Sequence, residues 1–151
     1  MRFFTSQVLT AVNISTETLR HWKRVLAPIR SRDGRSEGYS FRELAALAII
    51  ARAVNDLAVP ISRFTTFADE LFRSIDPISG ASDYVLCITP TNMLLTTLGS
   101  MPDCTSVAVV RVTPVIADLR RALALDADPG EAQLALPLET TKVIPLFRSS
   151  K

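Results

Sequence analysis

The stretch from Thr5 to Glu43 constrains this chain more than any other, because it carries start and stop signals for three helices in close succession. Ser6-Gln7-Val8-Leu9-Thr10-Ala11-Val12 reads as a short helix with an apolar face, Asn13-Ile14 as a tight break, and Ser15 as the N-cap of a second helix from Thr16 to about Val25. On that second helix Leu19, Trp22 and Leu26 recur at helical spacing, so one face turns inward while Arg20, Lys23 and Arg24 stay outside. Ile29 to Tyr39 is too polar and glycine-punctuated to be core, yet it has apolar or aromatic residues at both ends. That pattern suits a β-hairpin with Asp33-Gly34 as a primed turn. Ser40-x-x-Glu43 is a capping box opening a helix from Phe41 to about Leu57, with Leu44, Leu47, Ala48 and Ala51 along its inner face. Past the break at Ala58-Val59-Pro60, Ile61, Phe64, Phe67, Leu71 and Ile75 form a further apolar stripe.

A short helix, a turn and a basic helix make a helix-turn-helix, and the polar hairpin after it has the place of a wing. The order of elements resembles the MerR superfamily of winged-helix regulators over roughly the first half of the chain. The residues that carry the resemblance are Thr18-Leu19-Arg20-His21-Trp22, Tyr39-Ser40-Phe41-Arg42-Glu43-Leu44 and Leu57-Ala58-Val59-Pro60-Ile61-Ser62-Arg63-Phe64. The resemblance implies four helices and one wing that bind duplex DNA as a dimer, with Arg20 and Trp22 at the DNA backbone and Arg35 and Tyr39 in the wing. The chain departs from the family in three places. Lys23 stands where an acidic residue is usual, the wing lacks a Gly-Tyr-Arg run, and no long dimerisation helix follows Ile75. Within this unit the expected DNA-binding residues are Thr16, Thr18, Arg20, His21, Lys23 and Arg24 on the second helix, with Arg32, Arg35 and Tyr39 in the wing. By spacing alone, Trp22 reads as core rather than as a base-stacking ring.

Charge distribution agrees with a nucleic-acid partner. The net charge is only +2, but residues 1 to 42 hold eight Lys or Arg against three Asp or Glu, whereas residues 76 to 151 hold six against eight. Cations therefore collect where the motif would meet phosphates. A solvated basic face is the bland alternative.

After a turn-rich linker over residues 76 to 82 the pattern changes. Tyr84 to Ile88 reads as a strand, Thr89-Pro90 opens a helix over Asn92 to Leu98, Val107 to Val112 is a second strand, and Thr113-Pro114 opens a helix through Ala124. Strand, helix, strand, helix suggests a small parallel sheet without a phosphate-binding loop or an acceptor carboxylate. Two strands cannot close a core alone. Either a second copy completes it, with Val107, Val109 and Leu119 near the dimer surface, or this half folds against the N-terminal half. The expected class is thus α+β: a winged helix-turn-helix over residues 1–76, a β-α-β-α unit for dimerisation or effector binding over 82–125, and a tail over 126–151. In the tail, residues 141–148 could add an edge strand.

Catalytic and metal chemistry find little to use. His21 is the sole histidine, and it lies on the basic helix; Cys87 and Cys104 are the only thiols, read as reduced core residues, and Met93 and Met101 read as core fillers. No cofactor is expected, and no apolar run approaches membrane-spanning length, which leads to the expectation of a cytoplasmic protein. The function expected is a sequence-specific double-stranded DNA-binding regulator, a repressor or autoregulator acting as a homodimer, and not an enzyme. An excisionase-like DNA-bending factor, or a ligand-responsive α/β domain with accessory DNA binding, are the alternatives.

Overall fold

A computed structural model of the chain describes residues 1–32, 37–75 and 83–124. Helix α1 (Thr5–Val12) begins where the Gln7 side chain reaches back to accept from the Phe4 N–H at 2.8 Å, and it ends where Asn13 turns left-handed at φ 57°. Asparagine is among the few side chains that adopt this conformation readily, so the chain stops and re-aims in one residue. Helix α2 (Thr16–Val25) starts on Ser15, whose Oγ accepts from the Thr18 N–H at 3.1 Å. Glu17 in its first turn and Lys23 and Arg24 in its last complement the helix dipole. A short 3₁₀ turn over Ala27–Ile29, with Pro28 in it, leads the chain away.

Helix α3 (Phe41–Leu57) is the centre of the molecule. The predicted capping box is present, with the Ser40 Oγ accepting from the Glu43 N–H and the Glu43 carboxylate accepting from the Ser40 N–H at 2.7 Å. The expected inner face of Leu44, Leu47, Ala48 and Ala51 is buried, but so are Ala45, Ala46, Ile49, Ile50 and Ala53. A helix that is apolar on every side must be covered on every side. Helix α3 ends at Ala58, left-handed at φ 54° without being glycine. The stripe from Ile61 to Ile75 is not one helix: a 3₁₀ turn (Ile61–Phe64) precedes α4 (Ala68–Ser74), with Phe64, Leu71, Phe72 and Ile75 buried.

Beyond residue 83 the fold departs from the sequence expectation. Strand β1 (Tyr84–Ile88) is followed by a strand, β2 (Met93–Thr97), where a helix was expected, and the third strand β3 covers Ala108–Arg111. The sheet is antiparallel throughout, in the order β2-β1-β3, with Leu86 opposite Leu95 on one side and Val110 on the other. Thr89-Pro90 caps no helix. The Thr89 N–H donates to the Asn92 carbonyl at 2.9 Å, and the Thr89 hydroxyl accepts from the Asn92 N–H at 3.0 Å, which closes a turn with Pro90 at its second position. Proline fixes φ near −65°, a value that serves the first turn of a helix and the second position of a β-turn equally well. Strand pairing decided between them. A turn this short joins antiparallel strands, whereas parallel strands need a crossover of a dozen residues or more.

Helix α5 (Val112–Ala122) starts two residues earlier than expected, so that Arg111 and not Thr113 is the N-cap, and Val112 belongs to the helix. Its buried side, Val112, Val115, Ile116 and Leu119, belongs to the same apolar cluster as α1 and α3, and one face of the sheet joins it through Leu86, Ile88, Met93 and Val110. The C-terminal half therefore completes its core on the N-terminal half. Leu119, expected near a dimer surface, is 1% exposed inside its own chain and can meet no second copy, while Val107 and Val109 are half-buried. Polar ties reinforce the join: Arg63 donates to the Thr89 and Pro90 carbonyls at 2.6 and 2.9 Å, and Arg52 pairs with Asp118 at 3.5 Å. Met101 is exposed rather than a core filler, and so is Cys104, while Cys87 is fully buried. The expected linker at 76–82, the turn at Asp33-Gly34 and the tail with its edge strand at 141–148 lie outside the described residues, but the described ends of the expected hairpin do not pair with each other: Ile29 closes a 3₁₀ turn and Tyr39 bridges to Phe3.

Candidate nucleic-acid interface

The inner side of α2 is spent on packing. Leu19 is 3% and Trp22 2% exposed, and Leu26 follows them into the core. By helical geometry the opposite side must then face water, and it carries Thr16, Glu17, Arg20, His21 and Arg24, all exposed. Arg20 pairs with Glu17 at 3.0 Å, both ends solvated, so the bond holds the guanidinium loosely. Arg24 and the exposed Arg30 are brought close by the turn after α2, where an Arg30 guanidinium nitrogen lies 3.5 Å from the Arg24 carbonyl. Arg20 and Arg24 lie one turn apart on a single face, separated by about 6 Å of helix rise.

Several expected site residues lie elsewhere. Thr18 is half-buried, with its hydroxyl 2.9 Å from the Ser15 Oγ, and so belongs to the cap. Lys23 does not point freely outward; its ammonium donates to the Arg32 carbonyl. Arg32 is not a flexible cation of the loop. Its guanidinium donates to Glu43 through Nε at 2.8 Å, pairs with Glu43 again through NH2 at 2.8 Å, and reaches Glu37 at 3.0 Å. Burial works against the charge on Arg32, but the bonds to Glu43 and then to Glu37 outweigh it and hold the group's pKa above its ordinary value. Tyr39 is fully buried, so its ring is core rather than contact surface, and its backbone pairs with Phe3 in both directions, at 2.7 and 2.8 Å. Gly38 makes that pairing possible: it sits at φ 61°, and a Cβ there would stand 3.1 Å from the Phe3 carbonyl oxygen. The Tyr39 hydroxyl finds no hydrogen-bond partner among the described residues. Arg35 lies outside them.

What emerges instead is a tether that single-residue reading missed. Glu43, 7% exposed, closes the capping box of α3 and anchors Arg32, whose carbonyl in turn receives Lys23 of α2. One carboxylate thus fixes the end of the basic helix, the start of the following loop and the start of α3 relative to one another. The available signal was the pair of acidic residues, Glu37 and Glu43, on either side of the expected capping serine.

Among the described residues, no group of His, Cys, Asp or Glu is placed to hold a metal ion, and no helix is long and apolar enough to cross a membrane. No protein-family model, curated protein or solved structure was found to match the chain.

Proposed function

We propose that the chain is a sequence-specific, double-stranded DNA-binding regulator, with α1 and α2 as its helix-turn-helix, the segment from Ile29 to Tyr39 as a MerR-like wing, and a homodimer as its working form. The observation that carries the reading is the two-sided character of α2. Trp22 and Leu19 lock one side into the core, and the other side offers Arg20, Arg24 and Thr16 to solvent. A helix held this way can enter the major groove without losing its own packing. Arg20 and Arg24 then serve either as bidentate donors to guanine edges or as phosphate contacts, and Thr16 reaches the backbone or a base from the helix start. His21 lies on the same face. The Lys23–Arg32–Glu43 tether acts as a positioning device, holding the base of the wing at a fixed place beside α2.

A single α2 reads only a half-site, so specificity in a genome calls for a second copy at fixed spacing. Repression or autoregulation by occupying a promoter is the simplest use of such a unit. Selection of duplexes from a random library with the purified full-length chain tests the reading. An enriched sequence with two-fold symmetry is the expected result, and recovery of random sequence would count against it.

A further inference from the structure

A second feature points to a small ligand. Between α4 and the sheet lies a cavity of about 240 Å³. Its apolar walls are Phe67 and Leu71 on one side, and on the other Leu86, Met93 and Leu95, which share one face of the β1–β2 pair. Three polar groups join them among the described residues, Glu70, Ser74 and Tyr84, and of these Glu70 alone carries a charge. Phe67, Glu70, Leu71 and Ser74 follow the spacing of one helical face, so the carboxylate stands between two apolar side chains, with the Ser74 hydroxyl one turn further on. Glu70 is exposed and makes no ion pair or hydrogen bond among the described residues. A hollow of mixed polarity with apolar side chains on both walls, one unengaged anion and two aromatic rings matches a small organic cation.

We propose that this cavity binds a protonated monoamine with a compact apolar body, the ammonium paired with Glu70 and the body enclosed by Phe67, Leu71, Leu86 and Met93. The volume lies below the usual range for drug-sized ligands, which limits the body to about one ring. Neutral apolar molecules would fit the walls but leave the carboxylate unused, and anions would meet Glu70 with like charge. Amine binding at this cavity does not depend on DNA binding.

The test is a titration of the full-length protein with phenethylammonium chloride and, separately, with its neutral isostere 2-phenylethanol, followed by backbone amide NMR. The expected result is saturable binding of the amine with a dissociation constant on the order of 1 mM or tighter, with shifts confined to α4, β1 and β2. The alcohol should bind at least about tenfold more weakly, and Glu70→Gln, a change at an exposed position, should weaken the amine by a similar factor. Leu95→Trp, which fills the cavity from the sheet side, should abolish binding of both probes. Non-saturating amine shifts, equal affinity for amine and alcohol, or unchanged affinity in Glu70→Gln would each overturn the proposal.

Discussion

The tether between Arg32 and Glu43 can be weighed by a double-mutant cycle. Replacing Glu43 by alanine leaves the Ser40 N–H without its acceptor and the Arg32 guanidinium with Glu37 alone. Loss of the Glu43 half of the capping box costs about 1 kcal/mol, the Ser40 hydroxyl keeping its own bond to the backbone N–H of residue 43. Loss of the charge-assisted bonds costs about 1.5 to 3 kcal/mol, and the lower end applies because the Arg32 side chain is 27% exposed, so water can take over part of its solvation. Glu43→Ala should therefore destabilise by about 2.5 kcal/mol. Arg32→Ala leaves a nearly buried carboxylate that keeps its Ser40 donors, at a cost of about 2 kcal/mol. The double variant has no stranded charge and should lose only about 3 kcal/mol, which puts the coupling near 1.5 kcal/mol. Urea unfolding of the four proteins measures all of these. With a slope of about 2 kcal/mol per molar urea, Glu43→Ala should lower the midpoint by about 1 M. If the two single losses add to within about 0.5 kcal/mol in the double variant, the two side chains do not act on each other and the tether is not a structural unit.

The other predictions concern single sites. Trp22→Ala should cost about 3 to 5 kcal/mol, since the ring is 2% exposed, and should abolish DNA binding through unfolding; a folded variant by circular dichroism would mean that α2 is not anchored there. Tyr39→Phe should leave stability unchanged or raise it by about 1 kcal/mol, because the hydroxyl it removes is buried without a partner among the described residues. Burial, followed by the nearby Glu43, pushes the Tyr39 phenol above its ordinary pKa, Arg32 offsetting part of this. The stability this neutral phenol contributes is therefore complete below the unfolded-state value of about 10 and falls as pH rises beyond it, a loss that Tyr39→Phe should not show in thermal melts. Cys104, exposed, should react with iodoacetamide well before Cys87, which is buried and whose thiol is pushed up by burial and then by Cys104; equal rates in the native protein, read by mass spectrometry, would contradict that placement.

The N-terminal elements were legible because their signals are local. Ser15, Asn13 and the Ser40–Glu43 box each act within four residues, and the Leu19–Trp22–Leu26 spacing alone is enough to place one side of α2 inside. The strand β2 was not legible, for a physical reason: Thr89-Pro90 and a pair of leucines suit a helix as well as a turn and strand, and only pairing with β1 separates them. One strong clue lay in α3. Its sequence is apolar on all sides, Ala45, Ile49 and Ala53 as well as Leu44 and Leu47, which requires cover beyond the first two helices and is met by α4, α5 and β3. The fate of Leu119 follows from that demand. The expected site cations differ where a charge has a partner within the chain. A count of cations treats Arg20 and Arg32 alike, yet the first faces solvent beside an exposed Glu17 while the second is bound to a carboxylate eleven residues later in the chain.

The proposed DNA contact is tested most directly on the outer face of α2. Binding isotherms on the duplex sequence enriched by selection, recorded across a range of salt concentrations, should compare the wild type with Arg20→Ala and Arg24→Ala. Both positions are exposed and carry no core contacts, so circular dichroism and urea midpoints should match the wild type. Each substitution is expected to weaken binding by about tenfold, with relaxed preference at one base position if it reads a guanine, or with a salt slope lower by about one ion if it meets a phosphate. Isotherms and salt slopes that coincide with the wild type for both variants would show that α2 does not face DNA.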